Sequence, residues 1–245
     1  MEIYDSGFEV SSKADASPVT EADVAAEAII LDGLALVAPT VNIIAEEAVS
    51  AGATPKVTSE FYLVDPLDGT REFISRNGEF TVKISLVHDG APIAGVVYAP
   101  ALSKLYAGEK SSGAYQFELE ASQSFPDAPA LQRIECPQLP ASNIKVVASR
   151  SHRDEKTDGW LADRDVAEIV AAGSSLKFCL LASGQAHLYP RFGRTMEWDT
   201  AAGHAVLSAA GGEVFEASGP VLRYGKAHRG FDNPAFIASV SANGC

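Results

Sequence analysis

The chain has 245 residues, 47% hydrophobic and 21% charged, enough for one large domain or two fused halves around a sizeable core. Its 32 acidic against 19 basic residues give a net charge of −13 with no run of like charge, which argues against a nucleic-acid polymer as partner, because clustered Lys and Arg supply most of that affinity. An anionic substrate would have to be met by local positive charge, and bound metal ions are the direct means. Three scattered cysteines, Cys136, Cys179 and Cys245, show no metal-binding spacing and fit reduced thiols. The N-terminal segment lacks the apolar core of a signal peptide and no apolar stretch is long enough to span a bilayer, so the expectation is a soluble, cytoplasmic protein.

In chain order, Val24, Ala28, Leu31 and Ala35 recur at helical spacing and predict a helix over Thr20 to Leu36, with Thr20 as N-cap and Pro39 past its end. Val41 to Ala45 is a short apolar run leading into Glu46-Glu47, and 50–60 read as a loop. Phe61 to Val64 is a strand expected to end at Asp65. Phe80, Val82, Ile84 and Leu86 alternate with Thr81, Lys83, Ser85 and Val87; a turn at His88-Asp89-Gly90 and a return over Ile93 to Tyr98 complete a hairpin. Leu105 to Ala107 and Ala114 to Phe117 extend it, and the proline-rich 121–140 reads as a linker. Beyond it, strands (Ile144 to Ala148, Val166 to Ala171, Ala186 to Tyr189, Val214-Phe215) alternate with helices (154–163, Ser175 to Ser183, Thr200 to Ala210), the rhythm of an α/β half. The expected division is an α+β half over 1–130 and an α/β half over 131–245, forming one compact unit.

Carboxylates fall at element ends, where a scaffold can aim side chains at one point: Asp23 in the first helix, Glu46-Glu47, the hexapeptide Asp65-Pro66-Leu67-Asp68-Gly69-Thr70, and Asp199 just before a helix. Pro66 stiffens the hexapeptide and Gly69 permits a tight backbone. Two Asp residues three apart with the Leu67 carbonyl between them suit hard cations such as Mg²⁺. Each piece also has a plain reading: Asp-Pro and Asp-Gly form turns, Glu46-Glu47 is a solvated pair, Thr20 with Asp23 is a capping box, and Asp199 is an N-cap.

The segments SSKADASPVTEAD (11–23), YLVDPLDGTREFISRNGEFTVKISLVHDGAPIAGVVYAPA (62–101), ASRSH (148–152), GSSLKFCLLASGQAHLYPRFG (173–193) and EWDTAAGHAVL (197–207) resemble the inositol monophosphatase superfamily of metal-dependent, lithium-sensitive phosphatases. The similarity is greatest to its branch of 3′(2′),5′-bisphosphate nucleotidases. The resemblance covers most of the chain and is weakest over 48–60 and 118–142. It departs from the family in two ways: about ten residues precede SSKAD where members usually carry a further helix, and Ala45 stands where Gly or Ser is common.

The resemblance implies an α/β fold of five layers, α-β-α-β-α, with the site between the halves. It assigns metal binding to Glu46, Asp65, the Leu67 carbonyl, Asp68 and Asp199, and water activation to Asp23 and Thr70, with Glu47 a neighbouring acid. It implies two Mg²⁺ ions, one at Glu46, Asp65 and Leu67 and one at Asp65, Asp68 and Asp199, with a third, weaker position near Glu46. Substrate contacts fall to Glu46, Leu67, Asp68, Gly69, Thr70 and Asp199, with His152, Ser174, Ser175, Lys177 and Arg191 gripping a second phosphate. The expected reaction is removal of the 3′-phosphate from adenosine 3′,5′-bisphosphate, with 3′-phosphoadenylyl sulfate next, in sulfur assimilation. The competing expectations are inositol monophosphate as substrate and a non-catalytic, metal-binding interaction protein. The partner expected is a small phosphate ester.

Overall fold

The computed structural model describes residues 1–8, 10–12, 18–127, 129–149 and 155–241. A short helix α1 (Glu2–Asp5) and an antiparallel pair β1 (Val10–Ser12) and β2 (Pro18–Thr20) precede the long helix α2 (Glu21–Val37). Thr20 caps α2: its Oγ1 accepts from Ala22 N at 3.2 Å, and the Asp23 carboxylate accepts from Thr20 N at 2.7 Å.

The first sheet has seven strands in the order β3 (Asn42–Ala45), β4 (Glu60–Asp68), β5 (Thr81–His88), β6 (Ala91–Ala99), β7 (Lys104–Glu109), β8 (Gly113–Glu118) and β9 (Gln132–Ile134). β3 and β4 are parallel and the rest is an antiparallel meander. Helix α3 (Glu46–Ser50) follows β3 directly, and α4 (Thr70–Ile74) follows β4. The second sheet is made of β10 (Ile144–Ser149), β11 (Val166–Ala172), β12 (Leu188–Arg191), β13 (Glu213–Glu216) and β14 (Phe236–Ser239), in the order β11-β10-β12-β14-β13. Helices α5 (Glu155–Ala162), α6 (Leu176–Ala182) and α7 (Glu197–Ala209) complete it.

These elements stack in five layers. Helix α2 covers the outer face of the first sheet through Ile30, Leu31 and Leu34 on Val64 and Ile84. Helices α6 and α7 fill the middle, where Phe178, Leu181, Ala202 and Val206 meet Leu63 and Val97 of one sheet and Val147 and Phe236 of the other. Helix α5 closes the far side with Leu161 on Val146 and Leu188. Among the described residues no helix is long and apolar enough to cross a membrane.

Four features differ from the sequence expectation, each for a physical reason. β4 runs through the hexapeptide to Asp68 instead of stopping at Asp65. Asp65 pairs with Lys83 and Asp68 with Thr81, so three steps on β4 match two on β5, a bulge with one extra residue. Helix α7 begins at Glu197, three residues early, because the Asp199 carboxylate accepts from Met196 N at 2.7 Å; Asp199 is therefore a first-turn residue and not the N-cap. β9 carries the first sheet past the expected division at 130/131, and β14 lacks an apolar alternation long enough to announce it. Within β5 the polar-looking register is the deep one: Thr81, Lys83, Ser85 and Val87 are buried toward the middle layer, while Val82, Ile84 and Leu86 are half-buried.

Helix α7 sits close on the first sheet because Gly95 and Gly108 offer it no side chain. A Cβ at Gly95 would lie 2.6 Å from the Ala202 carbonyl oxygen, and one at Gly108 2.6 Å from Val206 Cα. Backbone cannot yield as a side-chain tip can, so Gly95→Val should destabilise the fold by about 1–3 kcal/mol or more. Gly159→Ala, in α5 with nothing within 4 Å of the added carbon, should be neutral or stabilising. Urea unfolding midpoints of the two variants check the contrast.

Candidate active site

The site begins at the bulge of β4. In a regular strand, residues three apart face opposite sides. The extra residue turns Asp65 and Asp68 to the same side, where both carboxylates lie 2.8 Å from Lys83 Nζ. The Leu67 side chain packs with Phe73 and Phe80, and its N–H donates to Asp65 Oδ1 at 3.1 Å, which holds the bulge. Glu46 opens α3 at the end of β3, one residue past the Ala45–Val64 pair, and so stands beside Asp65. Asp199 arrives from the opposite half on the first turn of α7.

Glu46, Asp65 and Asp199 each offer an oxygen within 4.8 Å of the other two. Oδ2 of Asp65 is buried and, apart from its ion pair, has no well-directed hydrogen-bond donor among the described residues. Hard oxygen donors, with no His or Cys in the cluster, fit Mg²⁺ rather than a softer metal. Asp68 is turned instead toward Lys83 and the Ser174 hydroxyl.

The electrostatics follow from burial. Desolvation pushes the Asp65 carboxyl well above the usual carboxylate range, against the pull of Lys83, and Glu46 adds to the rise. Asp199 is raised for the same first reason. Asp68 is also desolvated, but the charges of Lys83 and Lys177 outweigh that and hold it below its ordinary value. Burial pulls the Lys83 ammonium down, yet Asp65 and Asp68 more than reverse this, so it stays charged.

Asp23 and Thr70 meet as well. Thr70 Oγ1 donates to Asp23 Oδ1 at 3.3 Å, while Asp23 Oδ2 takes the Thr20 N–H and hydroxyl, both at 2.7 Å. The capping box and the contact with Thr70 thus coexist on one carboxylate. Gly69 at φ 91° makes the turn that starts α4 and presents Thr70.

An open cleft of about 280 Å³ joins these groups. Its lining includes Glu46, Asp68, Gly69, Thr70 and Asp199 together with Ser174, Lys177, Arg191 and Arg194. Asp23, Asp65 and Leu67 stand behind the wall, and Ser175 is buried with its hydroxyl on the Asp199 carbonyl at 2.7 Å. His152 lies outside the described residues. Lys177 donates to the Ser174 carbonyl at 2.5 Å, and Arg191 Nε has no partner among the described residues. Sequence reasoning missed Lys83, Arg71 and Arg194. For Lys83 the available signal was Val87, an apolar residue in the otherwise polar register of β5; no sequence signal marks the other two.

Fold and site together define an α/β sandwich with a cluster of carboxylates able to hold a metal ion where its two halves meet. The chain belongs to the inositol monophosphatase family, whose profile matches residues 2–240, and so to a family of metal-dependent phosphatases. It is 44% identical over 242 residues to the 3′(2′),5′-bisphosphate nucleotidase CysQ of Escherichia coli K12, covering 98% of this chain and 93% of that protein. The CysQ protein of Salmonella typhimurium is 43% identical over 244 residues, with 98% and 93% covered. Among solved structures, CysQ from Bacteroides thetaiotaomicron superposes with a TM-score of 0.80 at 38% identity, over 97% of this chain and 90% of that one.

Burial pulls Lys177 down to about 8, Arg191 adding to the drop and Asp68 opposing it. Its charge is therefore present below that pH and lost above it. Anion binding in the cleft should weaken as pH rises through and somewhat beyond 8, since a bound anion itself favours the charged amine. Sulfate, whose charge is constant in this range, is the suitable probe; calorimetric titrations from pH 6.5 to 9.5 should show the fall in the wild type and a flat profile in Lys177→Met.

Proposed function

We propose that the protein is a Mg²⁺-dependent phosphomonoesterase that removes the 3′-phosphate of adenosine 3′,5′-bisphosphate, and with it accepts 3′-phosphoadenylyl sulfate, in the cytoplasm and in sulfur assimilation. The observation that carries this reading is the lining of one cleft: a carboxylate cluster fit for a cation together with the cations Lys177 and Arg191. A ligand with two separate phosphates can satisfy both groups at once. The similarity to 3′(2′),5′-bisphosphate nucleotidases over nearly the whole chain supports the same substrate class.

Glu46, Asp65 and Asp199 are the groups to hold the ion, with the Leu67 carbonyl added by the family resemblance. Bound there, Mg²⁺ supplies Lewis acidity, lowering the pKa of water and neutralising phosphate charge. Thr70, with its hydroxyl proton committed to Asp23, keeps lone pairs to accept a hydrogen bond from the attacking water and fix its direction. Water then attacks phosphorus directly, with no covalent phosphoenzyme: its new bond to phosphorus forms as the bond to the 3′-oxygen breaks, its proton leaves by way of Thr70 and Asp23, and the departing 3′-oxygen takes a proton from solvent. Lys177, Arg191 and Ser174 orient the ester by its uncleaved phosphate, so the reacting phosphate is delivered to the carboxylate cluster. How many ions the site takes depends on the space between Asp65 and Asp68, where Lys83 stands.

Phosphate release from adenosine 3′,5′-bisphosphate, inositol 1-phosphate and fructose 1,6-bisphosphate, with Mg²⁺ and with excess EDTA, tests the reading. The bisphosphate nucleotide should be preferred and chelation should abolish turnover; full activity in EDTA would end the metal account, and preference for inositol 1-phosphate the nucleotide one. Thr70→Ala should lower kcat strongly while Mn²⁺ binding is retained, because Thr70 acts on water. Lys177→Ala and Arg191→Ala should each cost about 10- to 100-fold in kcat/KM on the bisphosphate, the worth of one charge-assisted hydrogen bond. They should hardly affect a simple monophosphate ester; equal losses on both would return these residues to a structural role.

A further inference from the structure

Lys83 has no place in the ligand set implied by resemblance, yet it stands at the centre of that set. Its Nζ is 2.8 Å from Asp65 Oδ2, 2.8 Å from Asp68 Oδ2 and 3.0 Å from the Asp199 carbonyl oxygen. The contact with the Asp199 carbonyl is a hydrogen bond and those with Asp65 and Asp68 are ion pairs, so three oxygens surround the ammonium. We propose that Lys83 is a built-in cation that occupies the place of a second metal ion between Asp65 and Asp68, so that the site carries a single divalent ion. The proposal rests on the metal-dependent reading given above and fixes its stoichiometry.

Space is the first reason. An ion bridging Asp65 and Asp68 would sit at about 2.0–2.1 Å from an oxygen of each. The Lys83 nitrogen, 2.8 Å from both, fills that volume, and the two cations exclude each other. Immobility is the second. Lys83 leaves the inner face of β5, a strand held between β4 and β6 and covered by α7, and its side chain is 1% exposed. The neighbouring positions Val82 and Ile84 face the other side of the sheet. To vacate the site, the ammonium would have to lose all three acceptors inside the protein, which is unfavourable for a buried charge.

Charge is the third. Glu46, Asp65, Asp68 and Asp199 bring four negative charges to one place. The ammonium neutralises one beside Asp65 and Asp68, and Asp68 is turned to it and to Ser174. That leaves Glu46, Asp65 and Asp199, the three whose oxygens converge within 4.8 Å, for one divalent ion on the other side of Asp65. Lys83 then keeps fixed positive charge next to Asp68, where a lost ion would otherwise be replaced from solution.

The test counts metal ions. The full-length enzyme, stripped with chelator, is loaded with Mn²⁺ in the presence of inorganic phosphate; bound Mn²⁺ is measured by equilibrium dialysis and its paramagnetic resonance spectrum recorded. The wild type should bind one Mn²⁺ per chain with the signal of an isolated ion. Lys83→Asn should bind a second, and the spectrum should become that of a coupled pair, since ions sharing Asp65 would lie about 3.5–4 Å apart. Two Mn²⁺ in the wild type would overturn the role of Lys83 and leave the metal-dependent reading standing. No bound Mn²⁺ would overturn both. A folded Lys83→Asn that still binds one would also overturn the proposal, because something other than Lys83 would then limit the count. If the variant does not fold, the wild-type count decides alone.

Discussion

Mutual repulsion among crowded carboxylates is the constraint on which the rest of this structure depends. Glu46, Asp65, Asp68 and Asp199 come from two halves of the chain and converge at one end of the cleft, Asp65 buried and the other three half-buried. Such a gathering is unstable without positive charge, because desolvation and like charge both favour protonation. The raised Asp65 and Asp199 and the lowered Asp68 record that tension and its local relief by Lys83. An apolar core or a binding surface would have no use for this arrangement. A site that must hold a cation against a phosphate has.

The fold serves that convergence. The bulge in β4 gives Asp65 and Asp68 a common direction, and β3, parallel to β4, places Glu46 at the same level. Helix α7 is the part that spans the halves: its first turn carries Asp199 to the cluster, and the rest is wedged against Gly95 and Gly108. Small residues along that contact thus set the position of a carboxylate a turn or two away. This couples packing to chemistry, since displacing the helix would move one ligand relative to the others.

Much of this was legible in the sequence, and the remainder was hidden for identifiable reasons. Length and order of motifs carried the family and its sandwich fold. The hexapeptide pointed to Asp65 and Asp68, but spacing alone cannot show a bulge, since the extra residue is defined only against the partner strand. Asp199 was recognised, though as an N-cap, because one turn of helix is not resolvable in an apolar pattern. Lys83 was passed over because alternation normally puts the charged register of a strand outward. β5 breaks that rule because its inner face looks into a charged site instead of an apolar core, and no one-dimensional pattern distinguishes the two.

The global charge and the local site pull in opposite directions, and distance decides between them. A chain of net charge −13 repels an anionic substrate at long range. At physiological ionic strength that repulsion fades within about 8 Å. Inside the cleft the charges that matter are those lining it: Arg71, Lys177, Arg191 and Arg194, Lys83 behind Asp68, and whatever cation Glu46, Asp65 and Asp199 hold. Arg194 is tied to the Asp232 carboxylate at 2.6 Å, whereas Arg191 donates to a neutral acceptor, the Arg194 carbonyl at 3.1 Å, so the charge met by a carboxylate is that of Arg194. The acidic exterior selects against extended polyanions, which would feel it along their whole length. A small, compact phosphate ester escapes it by entering a cleft in which Arg71, Lys177, Arg191 and Arg194 balance Glu46, Asp68, Glu72 and Asp199 before any cation is bound.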